Sequence, residues 1–488
     1  MKKKEKGVLF ISPRKIKESD INFGVPHLIS LGGYLQQELN IRVEVLDLNY
    51  ENNDIDVIVK KIISLGPFHC IGISCYSSFD YLNVKRLGAV IKSCFPDVPL
   101  IAGGYHVSAL PEDCINGDNP FDAVITGEGE LACKEIITDI LDNKKIEQKI
   151  YRPRVIAQLD SLPSYRWDLL KRYLFVPKYI GTTVQIYMSR GCPYHCNFCM
   201  EQSKESRGWR AFSADRAVEE LKRLGSFIKL KNAVINIADP LFGYSASWRR
   251  GFLAQIIKSG LRPHLFWALM RVENLSEEDI YLLSEAGFAV GFGLESGDET
   301  MLARMNKATK PEVFLSNILR FEKYSRKYGL HWAANLIIGY PGETNSSMMK
   351  TYDFARRLFT SNDNTFGWLS VDPFRLYPGS PVYYTMETLK SMGTIFYRPS
   401  WWKEELNQPF YAEYIDPSHD ITYRQRVEFM YSMYGPLLES IRNRFILREK
   451  DPLDVYAKSI STQVHLLQKG IRDRLLSLSE KEKTATKP

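Results

Sequence analysis

The sequence predicts an α/β protein: a doubly wound parallel sheet over residues 1–145, a partial (β/α)6 barrel over 182–384, and a mostly helical region over 385–488. Three observations carry this. Short apolar runs alternate with helix-spaced stretches through the first third of the chain and again through its middle. A polar, proline-containing stretch at 156–164 breaks the rhythm, which makes 146–181 a linker. Finally, Cys192, Cys196 and Cys199 follow directly on the first apolar run of the second series.

In the first part, strands are expected at 8–11, 43–47, 70–74, 100–103 and 123–126, with helices at 26–39, 55–63 and 81–94 between them. Parallel sheets of this kind bind ligands beyond the carboxyl ends of their strands. The residues expected there are Ser12 and Arg14, then Ser74, Tyr76 and Ser77, then Gly103, Gly104, Tyr105 and His106, and finally Thr126, Gly127 and Glu128. Glycines at such ends let the backbone approach a large flat ligand, and free N–H groups can hold its phosphate. His106 has a second reading, as a turn histidine bonded to the backbone.

The middle part has candidate strands at 184–188, 233–237, 265–269, 290–294, 332–338 and 368–374. Six strand-then-helix units predict an incomplete barrel with its chemistry at the carboxyl ends of the strands. The cysteine loop falls at such an end. Its spacing, C-x-x-x-C-x-x-C, puts three thiolates on one short loop, enough to hold an iron–sulfur cube and leave its fourth iron open. A structural zinc site with His195 as fourth ligand is the alternative; it lacks the usual second ligand pair. A disulfide framework does not suit eight cysteines in 488 residues.

Cys192, Cys196 and Cys199, with Phe198 before the third, resemble the signature of the radical S-adenosylmethionine (SAM) enzymes. The resemblance implies a [4Fe–4S] cluster on the three cysteines, with SAM chelating the open iron and cleaved reductively to a 5′-deoxyadenosyl radical. It continues through the barrel, where it implies further SAM contacts. Asp239, in Ala238-Asp239-Pro240-Leu241-Phe242, would accept from the SAM ammonium, although proline in that motif is a variation. Arg271, in Arg271-Val272-Glu273-Asn274-Leu275, would pair with a carboxylate or cap the barrel. Glu295, in Gly293-Leu294-Glu295-Ser296-Gly297, would accept from ribose hydroxyls, and Ile337 would pack on adenine beside the turn at Gly339.

The N-terminal part resembles the cobalamin-binding domain found upstream of many radical SAM enzymes, on the runs from Gly103 to Glu112 and from Val124 to Glu130. No aspartate stands two residues before His27, His69 or His106, so the D-x-H-x-x-G run of other cobalamin domains is absent. The resemblance therefore implies cobalamin with its own base displaced, no histidine replacing it, and a side chain near Tyr76 at its lower face. The implied activity is methylation of an unactivated carbon through a substrate radical, with methylcobalamin as the methyl donor. A small-molecule or peptide substrate and an external one-electron reductant of flavodoxin or ferredoxin type go with it. Cobalamin-dependent cyclisation or ring rearrangement, a cobalamin-free radical SAM reaction, and a non-catalytic metal or cobalamin carrier are the alternatives.

Net charge of +7 is spread thinly over the chain and predicts no nucleic-acid partner. No apolar run is long enough for a membrane span, and the apolar stretch after the basic opening reads as a strand rather than a signal peptide, so the expected location is cytoplasmic. Beyond residue 385, aromatics crowd together at Tyr397, Trp401, Trp402, Phe410, Tyr411 and Tyr414, as core or as a surface that stacks on substrate. Helical spacing at Val427, Met430, Tyr431 and Tyr434, and again at Ile460, Val464, Leu467 and Ile471, predicts amphipathic helices capping the barrel mouth. The polar tail from Ser479 to Pro488 is expected to be disordered.

Overall fold

The computed structural model describes residues 5–15, 22–146, 149–152, 154–179, 181–204, 208–404 and 409–447. The first sheet is wholly parallel. Its strands β1 (Gly7–Ser12), β2 (Arg42–Asp47), β3 (Phe68–Ser74), β4 (Leu100–Gly103), β5 (Ala123–Ile125) and β6 (Ile150–Tyr151) lie in the order β2-β1-β3-β4-β5-β6. Strand order reverses at β1, which places a ligand crevice outside the carboxyl ends there. Along β1, Val8 and Phe10 enter one core while Leu9 and Ile11 enter another, so both faces are dry. Helices α1 (Pro26–Leu39) and α6 (Glu130–Leu141) cover the first face. Helices α2 (Ile55–Leu65) and α3 (Tyr81–Cys94) cover the second; the short α4 (Tyr105–Ala109) and α5 (Pro111–Ile115) lie between β4 and β5.

The sixth strand departs from the sequence expectation, because β6 falls within the stretch read as linker. It is two residues long, too short to show a period, and is set by pairing Val124 with Ile150 and Ile125 with Tyr151. The rest of the linker is packed rather than loose. Trp167 is fully buried, and its ring stacks on Phe23 at 6.4 Å.

The second sheet is an open, parallel six-stranded arc. It comprises β7 (Thr182–Ile186), β10 (Ala233–Ile237), β11 (Leu265–Met270), β12 (Phe288–Glu295), β13 (His331–Ile338) and β14 (Gly367–Pro373), in the order β14-β13-β12-β11-β10-β7. A small ribbon, β8 (Ser189–Arg190) with β9 (Arg210–Ala211), stands above β7 and brackets the cysteines. The free edge of β7 is met by Phe23 of the first domain. Phe23 N–H donates to Thr183 O at 2.9 Å, and Gln185 N–H donates to Phe23 O at 2.9 Å. One residue from the loop after β1 thus pairs along the middle of β7 and joins the two sheets.

The C-terminal aromatics take the core reading at three positions, and the Phe410 side chain lies outside those described. Trp401, Trp402 and Tyr411 are buried in the outer core of the first domain, with α2 and α3. Trp401 Nε1–H donates to Leu376 O at 2.8 Å, and Trp402 Nε1–H to Asp113 Oδ2 at 2.7 Å, so the segment ties the barrel's last loop to α5. Helices Tyr423–Phe429 and Gly435–Arg444 flank a π-helical turn at Met430–Tyr434. The wider turn breaks the expected spacing: Tyr431 faces solvent, while Met430, Tyr434, Leu437 and Ile441 join the barrel core. The second stretch expected to be helical, with Ile460, Val464, Leu467 and Ile471, and the polar tail lie outside the described residues. Among the described residues no helix is long and apolar enough to cross a membrane.

Trp402→Ala is expected to cost about 3–5 kcal/mol, the usual range for removing a buried tryptophan, and to leave the Asp113 carboxylate without its indole donor. A lowered urea midpoint, with faster proteolysis near residue 400, would confirm this; an unchanged midpoint would refute it.

Candidate functional site: the cleft between sheet and cysteine loop

The carboxyl ends of the first sheet face the cysteine loop across a cleft of about 1160 Å³, part of it open to solvent. A deep apolar arm runs between the sheet and helices α1 and α6, walled by Phe10, Leu28, Leu31, Ile101 and Cys133. The wider mouth carries Tyr76, Gly104, Tyr105, Gly127 and Glu128 from the sheet side, and Tyr187, Arg190, Gly191, Glu201 and Lys204 from the barrel side. Gly104 has φ +116°, and a Cβ there would stand 2.5 Å from Cys75 O, so no other residue fits the turn. Gly127, at φ +71°, donates its N–H to Ser108 Oγ at 2.9 Å.

Not every residue expected at the strand ends reaches this cleft. Ser74, Gly103 and the mouth residues just named do. His106 does not: as the second residue of α4 it turns opposite to Tyr105, into the core beside Tyr81 and Trp402. Its Nδ1 lies 3.0 Å from Ser78 Oγ, and burial drops it to about 4, so it is neutral. Thr126 is buried and donates to Tyr151 O at 3.2 Å, binding β5 to β6. Ser77 accepts from Phe79 N–H at 3.2 Å as a helix cap, Arg14 donates to Glu51 O at 2.6 Å, and Ser12 is buried at the end of β1. Of the three histidines weighed from sequence, it is His27, at the start of α1, that lies on the cleft wall. Its Nε2 is 3.1 Å from Ser74 Oγ, and burial together with Lys15 and Lys204 lowers it to about 3.

On the barrel side, the cysteine loop is pinned from several directions. Asn197 N–H donates to Met305 O at 2.9 Å and its Nδ2 to Arg304 O at 2.9 Å, while Asn306 Nδ2 donates to His195 O at 2.8 Å. Arg271 stacks over Tyr194 of the loop, 4.1 Å from the ring centre, pairs with Glu273, and donates to Lys307 O at 2.8 Å. Glu295 takes φ +65° at the end of β12 and holds Lys307 Nζ at 3.1 Å. Lys307, Arg271 and Glu295 are all close enough to act electrostatically on Cys196. Ile337 is half-buried and shares a small apolar cluster with Phe198 of the loop. Gly339, at φ +86°, sits against the Arg426 side chain, which fills the space a Cβ would need.

Asp239 is turned away from the cleft. Ala238 and Pro240 line the cleft, whereas the Asp239 carboxylate accepts from Met188 N–H at 2.8 Å and Ser189 O–H at 2.6 Å beneath it. Its geometry is that of a prop under the strand leading to the cysteines, not of an open acceptor for a ligand ammonium. Burial pushes it up to about 7 despite the hydrogen bonds from Ser189.

Sequence reasoning passed over the contacts that join the two sides. Arg190, two residues before Cys192, pairs with Glu128 at 3.1 Å and Glu130 at 2.6 Å, and Arg210 of β9 pairs with the same Glu128. Burial works to raise Glu130, but the Arg190 guanidinium outweighs it and holds the carboxyl below the usual range. Glu128 and Glu130 were legible as part of the Gly127–Glu130 run; that their partners lie across a domain boundary was not.

Two family models match the chain: the Radical SAM superfamily over residues 186–355 and the B12 binding domain over residues 27–137. The chain thus carries a B12-binding domain followed by a radical SAM domain. Among its relatives, an uncharacterized methyltransferase of Pyrococcus horikoshii is 28% identical over 333 residues, covering 65% of this chain and 70% of that one. A cytidylyl-2-hydroxyethylphosphonate methyltransferase of Streptomyces wedmorensis is 26% identical over 371 residues, covering 65% and 67%. The fold is also that of the cobalamin-dependent S-adenosylmethionine radical enzyme OxsB, at TM-score 0.71 and 15% identity over 96% of this chain and 72% of that one.

The residues present fit the cofactors that these two domains imply. The three thiols of the radical SAM loop act on one another electrostatically. Yet among the described residues no three His, Cys, Asp or Glu side chains converge closely enough for a single ion. Three thiols on one short loop leave the fourth iron of a cluster open, as the spacing of the sequence implies. Burial pushes the Cys199 thiol up to about 12, so ligation has to displace a proton there. In the cleft, the apolar arm and the glycine-lined mouth suit a flat macrocycle with a nucleotide tail.

The raised Asp239 carboxyl gives a pH test. Between its ordinary range near 4 and about 7, the folded protein keeps a proton that the unfolded chain has lost. Its contribution therefore falls as pH rises through that window. Asp239→Asn is expected to flatten the decline in melting temperature of the apoprotein between pH 5 and 7; parallel curves for variant and wild type would refute it.

Proposed function

We propose that this protein is a cobalamin-dependent radical SAM methyltransferase that moves a methyl group to an unactivated carbon of a small molecule or peptide. The observation that carries the reading is that one cleft is bounded on one side by the glycine turns of the B12-type sheet and on the other by residues that flank the three cysteines, Arg190 and Gly191 before them and Glu201 after. Methyltransferase relatives over two thirds of their length support it. When bound, the [4Fe–4S] cluster with SAM would supply reductive SAM cleavage, and methylcobalamin a transferable methyl group.

The chain's own residues would do the rest. Cys192, Cys196 and Cys199 would hold the cluster, while Arg271 and the Glu295–Lys307 pair would present fixed charges to a zwitterionic ligand beside Cys196. Gly103, Gly104, Gly127 and Ser74 would let the corrin approach the sheet edge. Tyr76, Tyr105 and Tyr187 would wall the space between the two sides and keep water from reactive species. Electrons would come from an external flavodoxin- or ferredoxin-type donor, in the cytoplasm.

The test is anaerobic reconstitution with iron, sulfide and hydroxocobalamin, followed by product analysis with SAM, a chemical reductant and candidate substrates. The expected result is 5′-deoxyadenosine together with S-adenosylhomocysteine and a methylated product, with Cys199→Ala reducing 5′-deoxyadenosine to background. Turnover to 5′-deoxyadenosine with substrate consumed and no S-adenosylhomocysteine would replace methyl transfer by a cyclase or ring-rearranging reaction. SAM cleavage unaffected by Cys199→Ala would overturn the reading altogether.

A further inference from the structure

The cleft contains a hydrogen-bonded connection from the first domain to a cluster cysteine. Tyr105 follows the Gly104 turn at the mouth, and its hydroxyl donates to Glu201 Oε2 at 2.6 Å across the domain boundary. Glu201 stands two residues beyond Cys199, and its backbone N–H donates to Cys199 Sγ at 3.4 Å. Lys204 Nζ lies 3.1 Å from the same carboxylate oxygen and 3.7 Å from the centre of the Tyr105 ring. Tyr76 meets that ring edge-on at 5.2 Å, so the tyrosine is held on three sides. Tyr105, Glu201 and Lys204 all line the cleft.

Hydrogen bonds to cluster sulfurs, and charges near them, set the reduction potential of an iron–sulfur centre. An amide N–H on a ligating sulfur favours the reduced state; a bare carboxylate nearby opposes it. Tyr105 and Lys204 both draw charge from the Glu201 carboxylate, and Tyr105 fixes the residue whose N–H serves Cys199. A ligand seated on the Gly104 turn touches Tyr105. We propose that Tyr105 and Glu201 are positioning residues through which occupation of the corrin cleft sets the reduction potential of the cluster, an inference that rests on the cofactor assignment above.

The experiment is a redox titration of the reconstituted full chain followed by the electron paramagnetic resonance of the reduced cluster, without SAM, with and without hydroxocobalamin. Iron content and corrin absorbance are measured first. In the wild type, cobalamin is expected to change the ratio of reduced to oxidised cluster at a fixed potential by about threefold or more, the equilibrium equivalent of one net hydrogen bond. Tyr105→Phe keeps the ring and removes the donor; it is expected to lower that ratio about threefold without cobalamin and to abolish the response to it. Glu201→Gln, which removes the charge but keeps the backbone N–H, is expected to raise the ratio. A protein that binds iron and corrin but titrates identically with and without cobalamin would overturn the relay alone, as would a Tyr105→Phe protein that responds like wild type. Failure to bind either group would overturn the cofactor assignment as well.

Discussion

The site depends on a partly buried cation, Arg190, held between Glu128 and the buried Glu130. Arg190 belongs to the short ribbon that precedes the cysteines, and the two carboxylates belong to the loop after β5 and the start of α6. Glu130 is buried and the other two charges are largely shielded from water, which is costly unless each finds its counter-charge. Removing Arg190 would leave the buried Glu130 carboxylate without its counter-charge, a destabilising change. The clamp therefore does more than add stability. It fixes where the cysteine loop stands relative to the sheet edge, and hence the width of the cleft between them. Arg210, which pairs with Glu128 and donates to Ile156 O at 2.6 Å, extends the same clamp to the linker.

Around this clamp, adjacent residues have opposite duties. Ala238 and Pro240 face the cleft while Asp239 between them props the approach to the cysteine loop. Tyr105 faces the cleft while His106 enters the core. A chemically active side chain in a family-like motif thus does not by itself report a ligand contact; a neighbour with less chemistry can line the wall instead. The C-terminal aromatics follow the same logic. Their sequence allowed core or a stacking surface; the indole N–H groups of Trp401 and Trp402 are satisfied by Leu376 O and Asp113, and these rings with Tyr411 close the outer core of the first domain.

Much of the fold was legible because strand and helix periods are local. Helices 26–39 and 81–94 and strands 100–103 and 233–237 begin and end where their apolar patterns do. What escaped was short or context-dependent: β6, with two residues, has no period, and the π-helical turn at Met430–Tyr434 shifts a helical stripe whose spacing looked regular. In the site, the cysteine loop was legible from spacing alone. Arg190, Glu201, Lys204 and His27 were not, since a single charged or titratable residue in a loop carries no pattern until its partner is known.

By itself the sequence determined the alternation of elements, the two parallel sheets, and the three thiols that end the first barrel strand. Those follow from period, turn chemistry and ligand spacing, each readable within a few residues. Only the tertiary structure decided which strand-end side chains turn into the cleft, that Tyr105 reaches Glu201, and that Arg190 reaches Glu128 and Glu130. These pairs are 96, 62 and 60 positions apart along the chain. Their meeting depends on how two separately formed sheets dock through Phe23 and the packed linker, and no local pattern encodes that.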